Sequence, residues 1–149
     1  MKIGICDESC EVRRKLLLAL SDLYKETQGI LFRPYTPNEI MIDMEDMVFD
    51  CEILIMNTQY PNSGLDGVAL AKQINGAFPF CKIIYLTEDE NAIKDVYETN
   101  HCYFIRRKDA EQVLGLAMQK AIALVKQDKN RKSMEIICEG HHVFINRPD

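Results

Sequence analysis

Short apolar runs alternate along the chain with segments in which apolar residues recur every three or four positions. The runs predict strands, and the three- and four-residue spacing predicts amphipathic helices. Regular alternation of the two is typical of βαβ units, in which helices cover a parallel sheet. The predicted strands span residues 2–6, 30–35, 51–56, 82–86 and 102–105.

Two of these runs indicate where their strands lie in the sheet. Residues 51–56 (CEILIM) are apolar at every position except Glu52, as in a strand buried on both faces at the sheet centre. Pro34 interrupts the second run, and proline in a strand favours a sheet edge. We therefore predict an α/β fold with a doubly wound, five-stranded parallel sheet of order 2-1-3-4-5. Helices cover both faces, as in flavodoxin-like proteins.

Several polar residues mark predicted helix starts. A hydroxyl residue followed three positions later by Glu, the pattern of a capping box, occurs at 36–39 and at 87–90. The second box predicts a helix that ends near residue 99. Ser9 and Asp109 are further N-cap candidates, and the helix after Asp109 is expected to end near residue 129.

The last twenty residues break the alternation. Residues 134–138 (MEIIC) and 142–146 (HVFIN) flank Glu139-Gly140 and predict a β-hairpin. This divides the chain into an α/β domain over residues 1–129 and a linker with a hairpin over 130–149. Because an isolated hairpin is marginally stable in water, we expect it to pack on the α/β domain, to pair with another chain, or to begin a further domain that is truncated at residue 149.

Composition excludes several classes of function. The net charge of −5 argues against direct DNA binding by the α/β domain, because phosphate contacts need a basic surface. There is no apolar run near 18 residues, so we expect no membrane span. The 6 cysteines form no CxxC pair, and no secretory leader precedes them. We expect reduced thiols and a cytoplasmic location.

Candidate chemistry follows the strands at the edge where parallel sheets bind ligands, the carboxyl ends. Asp7 and Glu8 follow the first strand, Asn57 the third and Thr87 the fourth, and Arg106 follows the fifth. Adjacent carboxylates suit Mg²⁺. A hydroxyl and a cation suit a phosphoryl group.

The segments ICDES, ILIMN, LDGVALAKQI, IIYLT and CYFIRR carry a family resemblance over residues 1–129. They are similar to the receiver (CheY-like) domain of response regulators of the LytTR type, and residues 134–149 more weakly resemble the first strands of a LytTR domain. The resemblance implies a signalling module of a two-component transcription regulator, not an enzyme. Its partners would be a histidine kinase and a second copy, bound through the fourth helix, fifth strand and fifth helix. DNA would bind only through a C-terminal domain missing from this chain.

The resemblance also assigns roles to individual residues. Asp7 and Glu8 match the acidic pair that binds Mg²⁺, and Gln59 matches the position whose backbone carbonyl binds it. Thr87 matches the hydroxyl that contacts the phosphoryl group. Tyr103 matches the aromatic residue that reorients with it.

The sequence departs from the family at the residue that matters most. Asn57 stands where the family has its phosphoacceptor aspartate, and an amide cannot form an acyl phosphate. Loss of that charge also weakens Mg²⁺ binding. Arg106 and Arg107 replace a lysine and a proline, and Glu88 replaces a small residue. Arg106 is long enough to reach Asp7 or Glu8 and neutralise the crevice. These changes predict a pseudo-receiver that takes no phosphate and acts by dimerisation or docking.

Two alternatives stay open on the sequence. A working receiver could use another acid, such as Asp7, as acceptor. A phosphatase-like or nucleotide-binding enzyme of this architecture is the second. It is disfavoured because Ser9 stands where a phosphatase needs its second acid, and because Asp7 and Glu8 would repel a nucleotide phosphate.

Overall fold

The computed structural model describes the backbone of residues 1–141 and the side chains of residues 1–135. The strands are β1 (Lys2–Cys6), β2 (Leu31–Tyr35), β3 (Ile53–Met56), β4 (Gln59–Tyr60), β5 (Leu65–Asp66), β6 (Lys82–Thr87) and β7 (Tyr103–Arg106). The helices are α1 (Cys10–Leu23), α2 (Pro37–Glu45), α3 (Gly67–Ala77), α4 (Ile93–Val96) and α5 (Ala110–His141).

Five parallel strands form one sheet in the order β2-β1-β3-β6-β7. This confirms the predicted order, because β4 and β5 are a separate antiparallel hairpin inserted between β3 and α3. Pro34 lies in β2 at the sheet edge, as predicted, where a missing N–H costs no ladder hydrogen bond. The last strand begins and ends one residue later than predicted.

Helices cover both faces of the sheet, and β3 contributes to both hydrophobic layers. Leu54 and Met56 pack into the layer that contains residues of α2 and α3. Ile53 and Ile55 pack into the layer that contains residues of α1 and α5. The consecutive apolar positions of the CEILIM run therefore reflect a central strand buried on both sides.

Two predicted helix starts are confirmed. The Ser9 hydroxyl accepts a hydrogen bond from the Val12 N–H at the start of α1. Thr36 and Glu39 form the reciprocal capping box at the start of α2, with Pro37 in its first turn. Each cap satisfies backbone donors that the first turn of a helix leaves unpaired.

The capping box predicted at 87–90 is wrong. Thr87 is the last residue of β6, and its hydroxyl accepts the Asp89 N–H instead. The Asp89 side chain caps a short turn, and α4 covers only Ile93–Val96. The first helical turn begins at Glu90, so the capping position belongs to Asp89 and not to Thr87.

The predicted strand over residues 134–138 is also wrong, because α5 continues through it to His141. No Gly or Pro interrupts the chain between Gly115 and Gly140, so nothing local stops the helix. The second predicted strand, 142–146, lies outside the described residues. The domain boundary near residue 129 stays a prediction, and α5 runs across it.

Ion pairs hold the middle of α5 against the amino ends of the strands. Lys82 donates to Asp128 at 2.5 Å, and Lys129 lies 2.9 Å from Glu52. Among the described residues, no helix is long and apolar enough to cross a membrane.

Candidate functional site

The carboxyl ends of β1, β3 and β6 bring three of the predicted site residues to one edge of the sheet. Cys6 pairs with Met56, and Met56 pairs with Tyr85, so the residues that follow these strands are neighbours. Asp7 and Asn57 follow β1 and β3, and Thr87 ends β6. The register therefore places Asp7, Asn57 and Thr87 at the same edge of the sheet, where the sequence predicts a crevice.

The Asn57 side chain folds back onto its own loop. Its Oδ1 accepts the Thr58 N–H at 2.7 Å and lies 3.4 Å from the Gln59 nitrogen, which also donates to it. Its main-chain N–H donates to the Tyr60 hydroxyl at 2.9 Å. The amide oxygen is neutral and already hydrogen-bonded, so it offers neither a nucleophile nor an anionic ligand.

The Tyr60 hydroxyl bridges the ends of β1 and β3 by hydrogen bonds. The ring of Tyr60 is buried, and its hydroxyl donates to the Cys6 carbonyl at 3.0 Å while accepting from Asn57. Burial raises the pKa of Tyr60 well above its usual value. Burial likewise raises the pKa of the Cys6 thiol to about 12. Both groups are therefore neutral at physiological pH and serve as uncharged hydrogen-bonding and packing groups.

Asp7 is 8% exposed and is surrounded by donors. Its Oδ1 accepts the Ser9 N–H at 2.9 Å, and its Oδ2 lies 3.7 Å from Arg107 Nη2. The Asp7 main-chain carbonyl accepts from Arg13 Nη1 at 2.7 Å. Arg107 therefore faces the Asp7 carboxylate, and Arg13 binds the main chain of the same residue.

The arginine that reaches the crevice is Arg107, and the expectation for Arg106 is wrong. Arg106 turns away: its Nε donates to Asp109 at 2.8 Å, and its Nη1 lies 3.6 Å from Glu90. Arg106 is the last residue of β7, whereas Arg107 begins the tight turn that leads into α5, and the two side chains contact different acidic residues.

The two other predicted magnesium ligands have hydrogen-bond partners in the β4–β5 hairpin and the loop before it. Glu8 accepts the Asn62 N–H at 3.2 Å and the Ser63 hydroxyl at 2.7 Å, which ties it to the turn of the β4–β5 hairpin. Gln59 is the first residue of β4, and its main-chain N–H donates to Asn57 Oδ1 at 3.4 Å.

The donor set does not fit the magnesium ion that the resemblance implies. A Mg²⁺ site needs converging oxygens, usually with one or two free carboxylates. Here the carboxylates of Asp7 and Glu8 and the Asn57 amide are each engaged by other donors. Within the described part of the chain, no cluster of three or more His, Cys, Asp or Glu residues could hold a metal.

Thr87 is buried and its hydroxyl is shared between two partners. It lies 2.9 Å from the Thr58 hydroxyl and accepts the Asp89 N–H at 3.1 Å. Glu88, the next residue, is exposed and lies 3.4 Å from Arg107 Nε. The β6 end is therefore linked to β3 by a hydroxyl pair and to Arg107 by charge.

Tyr103 lies outside this cluster, on the face formed by α4, β7 and α5. It lines a shallow cavity with Ile93, Phe104, Arg106 and other residues, and Lys120 Nζ lies 5.9 Å from its ring centroid. Tyr97 is 79% exposed and Ile93 is 44% exposed on the same side. Apolar side chains on this face are therefore exposed to solvent.

Four residues of the site were missed by sequence reasoning: Arg13, Thr58, Tyr60 and Arg107 as the residue facing Asp7. Arg13 follows Asp7 by six residues, and helical spacing could have placed it over the β1 end. Nothing in the sequence distinguishes Tyr60, which bridges the ends of β1 and β3, from an ordinary buried aromatic residue.

No family model and no curated protein matches the sequence. Solved structures do match, and several are receiver domains or full response regulators. RcsB from Salmonella enterica serovar Typhimurium, bound to promoter rprA with the phosphomimetic BeF₃⁻, matches at TM-score 0.61 and 19% identity. The match covers 80% of this chain and 66% of that one.

Two shorter structures match over almost their whole length. TrrA from Thermotoga maritima, in complex with Mg²⁺-BeF, has TM-score 0.61 and 18% identity over 80% of this chain and 97% of its own. A receiver domain protein from Clostridium thermocellum has TM-score 0.61 and 21% identity over 86% and 96%. The chain therefore has the fold of response-regulator receiver domains, and at these identities the likeness establishes the fold alone.

Proposed function

We propose that the chain is a receiver-type module of a two-component transcription regulator that works without phosphorylation and acts by self-association or docking. The observation that carries this proposal is the state of Asn57. It occupies the end of the central strand, where the resemblance puts the acceptor, and its amide oxygen is bound to its own loop. An acyl phosphate needs a carboxylate there.

Asp7 is not a favourable substitute acceptor. The residue is 8% exposed, and its carboxylate accepts the Ser9 N–H and faces Arg107. To act as a nucleophile, this carboxylate would have to leave both partners and reach an approaching phosphoryl donor. A signalling module, and not an enzyme, is the function that these contacts favour.

The proposal is tested by titrating isotope-labelled protein with BeF₃⁻ and Mg²⁺ and following the amide signals of residues 57, 58 and 87. We expect no saturable shift in the wild type. Asn57→Asp is the matched variant that restores the acceptor carboxylate. A saturable shift of the three wild-type signals together would contradict the proposal.

Association is assigned to the α4–β7–α5 face. Ile93 and Tyr97 are exposed there, and burying apolar surface favours association by about 25 cal/mol per Å². Sedimentation at several concentrations should show a dimer that the double variant Ile93→Ser, Tyr97→Ser weakens. Leu18→Ser is the control, because Leu18 is 65% exposed on α1. A monomer at all concentrations, or equal loss in the control, would contradict this face.

The remaining assignments are parts of the same proposal. A histidine kinase, if it binds, would dock without transferring phosphate to Asn57, and Mg²⁺ would bind weakly. DNA binding is placed in a separate LytTR-type domain, because the net charge of −5 does not supply the basic surface that DNA needs. The expected compartment is the cytoplasm.

A further inference from the structure

Arg107 places a positive charge beside the carboxylates of the crevice, and this is the feature that most distinguishes the crevice from a cation-binding site. Its guanidinium lies 3.7 Å from Asp7 Oδ2 and 3.4 Å from Glu88 Oε1. Its Nε is buried and has no hydrogen-bond partner among the described residues. Arg107 therefore interacts with both carboxylates electrostatically. Its guanidinium lies between Asp7, at the end of β1, and Glu88, in the segment after β6.

We propose that Arg107, and not the loss of charge at Asn57, is the main barrier to a divalent cation in this crevice. The proposal concerns the regulation of the same site and rests on the proposed function for its biological meaning. A metal ion at Asp7 would lie within a few ångströms of the guanidinium, and two cations at such a distance repel strongly in partly buried surroundings. Restoring an aspartate at position 57 leaves that repulsion unchanged.

Two neighbouring features agree with a crevice organised around a protein cation. Arg13 adds a second positive charge, although it donates to the Asp7 main-chain carbonyl. Glu8, the other carboxylate of the pair, is bound to Asn62 and Ser63 in the hairpin turn. The negative charge left at the crevice is that of Asp7, with Glu88 at its rim, and Arg107 lies between the two.

The test is a titration of the purified chain with Mn²⁺ alone, read by the loss of the free-ion paramagnetic resonance signal. The variants are Asn57→Asp, Arg107→Ala and the double variant. Arg106→Ala is the matched control, because it removes the same charge one residue away, from a side chain that faces Asp109. Arg107→Gln is a second variant in case the alanine variant folds poorly, and circular dichroism reports on folding.

We expect about tenfold or greater tightening of Mn²⁺ binding when Arg107→Ala is added to Asn57→Asp, and little change for Asn57→Asp or Arg106→Ala alone. The proposal is overturned if Asn57→Asp alone binds Mn²⁺ as tightly as the double variant, or if Arg106→Ala has the same effect as Arg107→Ala. Neither result bears on whether the wild type accepts phosphate, so the two proposals fail separately.

Discussion

Tyr60→Phe removes one oxygen atom from the centre of the crevice and leaves the ring in place. That oxygen donates to the Cys6 carbonyl at 3.0 Å and accepts the Asn57 N–H at 2.9 Å. The substitution therefore unpairs two main-chain groups in a buried or partly buried place. An unpaired group of this kind costs about 1–3 kcal/mol. Because the Asn57 N–H is only partly buried, we take the lower end of that range, about 1–1.5 kcal/mol for each group, and expect a total loss of about 2–3 kcal/mol of unfolding free energy.

Urea unfolding followed by circular dichroism measures this loss. A typical slope of about 2 kcal/mol/M converts it to a midpoint about 1–1.5 M lower, with the slope unchanged. Amide exchange at Asn57 should accelerate as well, because its N–H loses its acceptor. Thr27→Val is the control and should be neutral, since it removes a hydroxyl from an exposed residue outside the crevice and outside the α4–β7–α5 face. A Tyr60→Phe midpoint equal to that of the control would refute the bridging role.

Two further predictions concern the surroundings of the site. Gly67→Ala should prevent normal folding or cost several kcal/mol in urea unfolding, because a Cβ there would lie 2.1 Å from the Asn57 carbonyl oxygen. Gly76→Ala is the control and should be neutral or stabilising, because a Cβ there would have no neighbour within 4 Å. Equal losses of stability for the two substitutions would contradict the close approach of Gly67 to Asn57. The hydrogen bond from Lys82 lowers the pKa of the Asp128 carboxyl in the folded protein. The stabilisation by this pair is therefore complete above the unfolded pKa of about 3.9, and it is lost as the pH falls through the folded-state pKa. The stability gap between wild type and Asp128→Asn should therefore shrink below about pH 4, and a gap independent of pH would contradict the pairing.

The sheet could be predicted because its signals are local and strong. The consecutive apolar residues of β3 fit only a strand buried on both faces, and Pro34 fits an edge strand. Each strand end then placed its polar residue at the same edge of the sheet. The positions of Asp7, Asn57 and Thr87 in one crevice followed from topology alone.

Side-chain direction and helix length could not be predicted in the same way. Arg106 and Arg107 have the same chemistry, and only the path of the chain after β7 decides which one faces Asp7. Thr87 begins a sequence typical of a helix cap, but its hydroxyl pairs with Thr58 in the loop after β3, and no local pattern predicts that contact. The isoleucines of the 134–138 segment favour a strand, yet in α5 the helix continues through them.

Intact-mass spectrometry after incubation with acetyl phosphate and Mg²⁺ shows whether the crevice accepts a phosphoryl group. The mass of the wild type should stay unchanged. A stable gain of one phosphoryl group, with peptide mapping placing it on Asp7 or on any other residue of the crevice, would contradict this expectation.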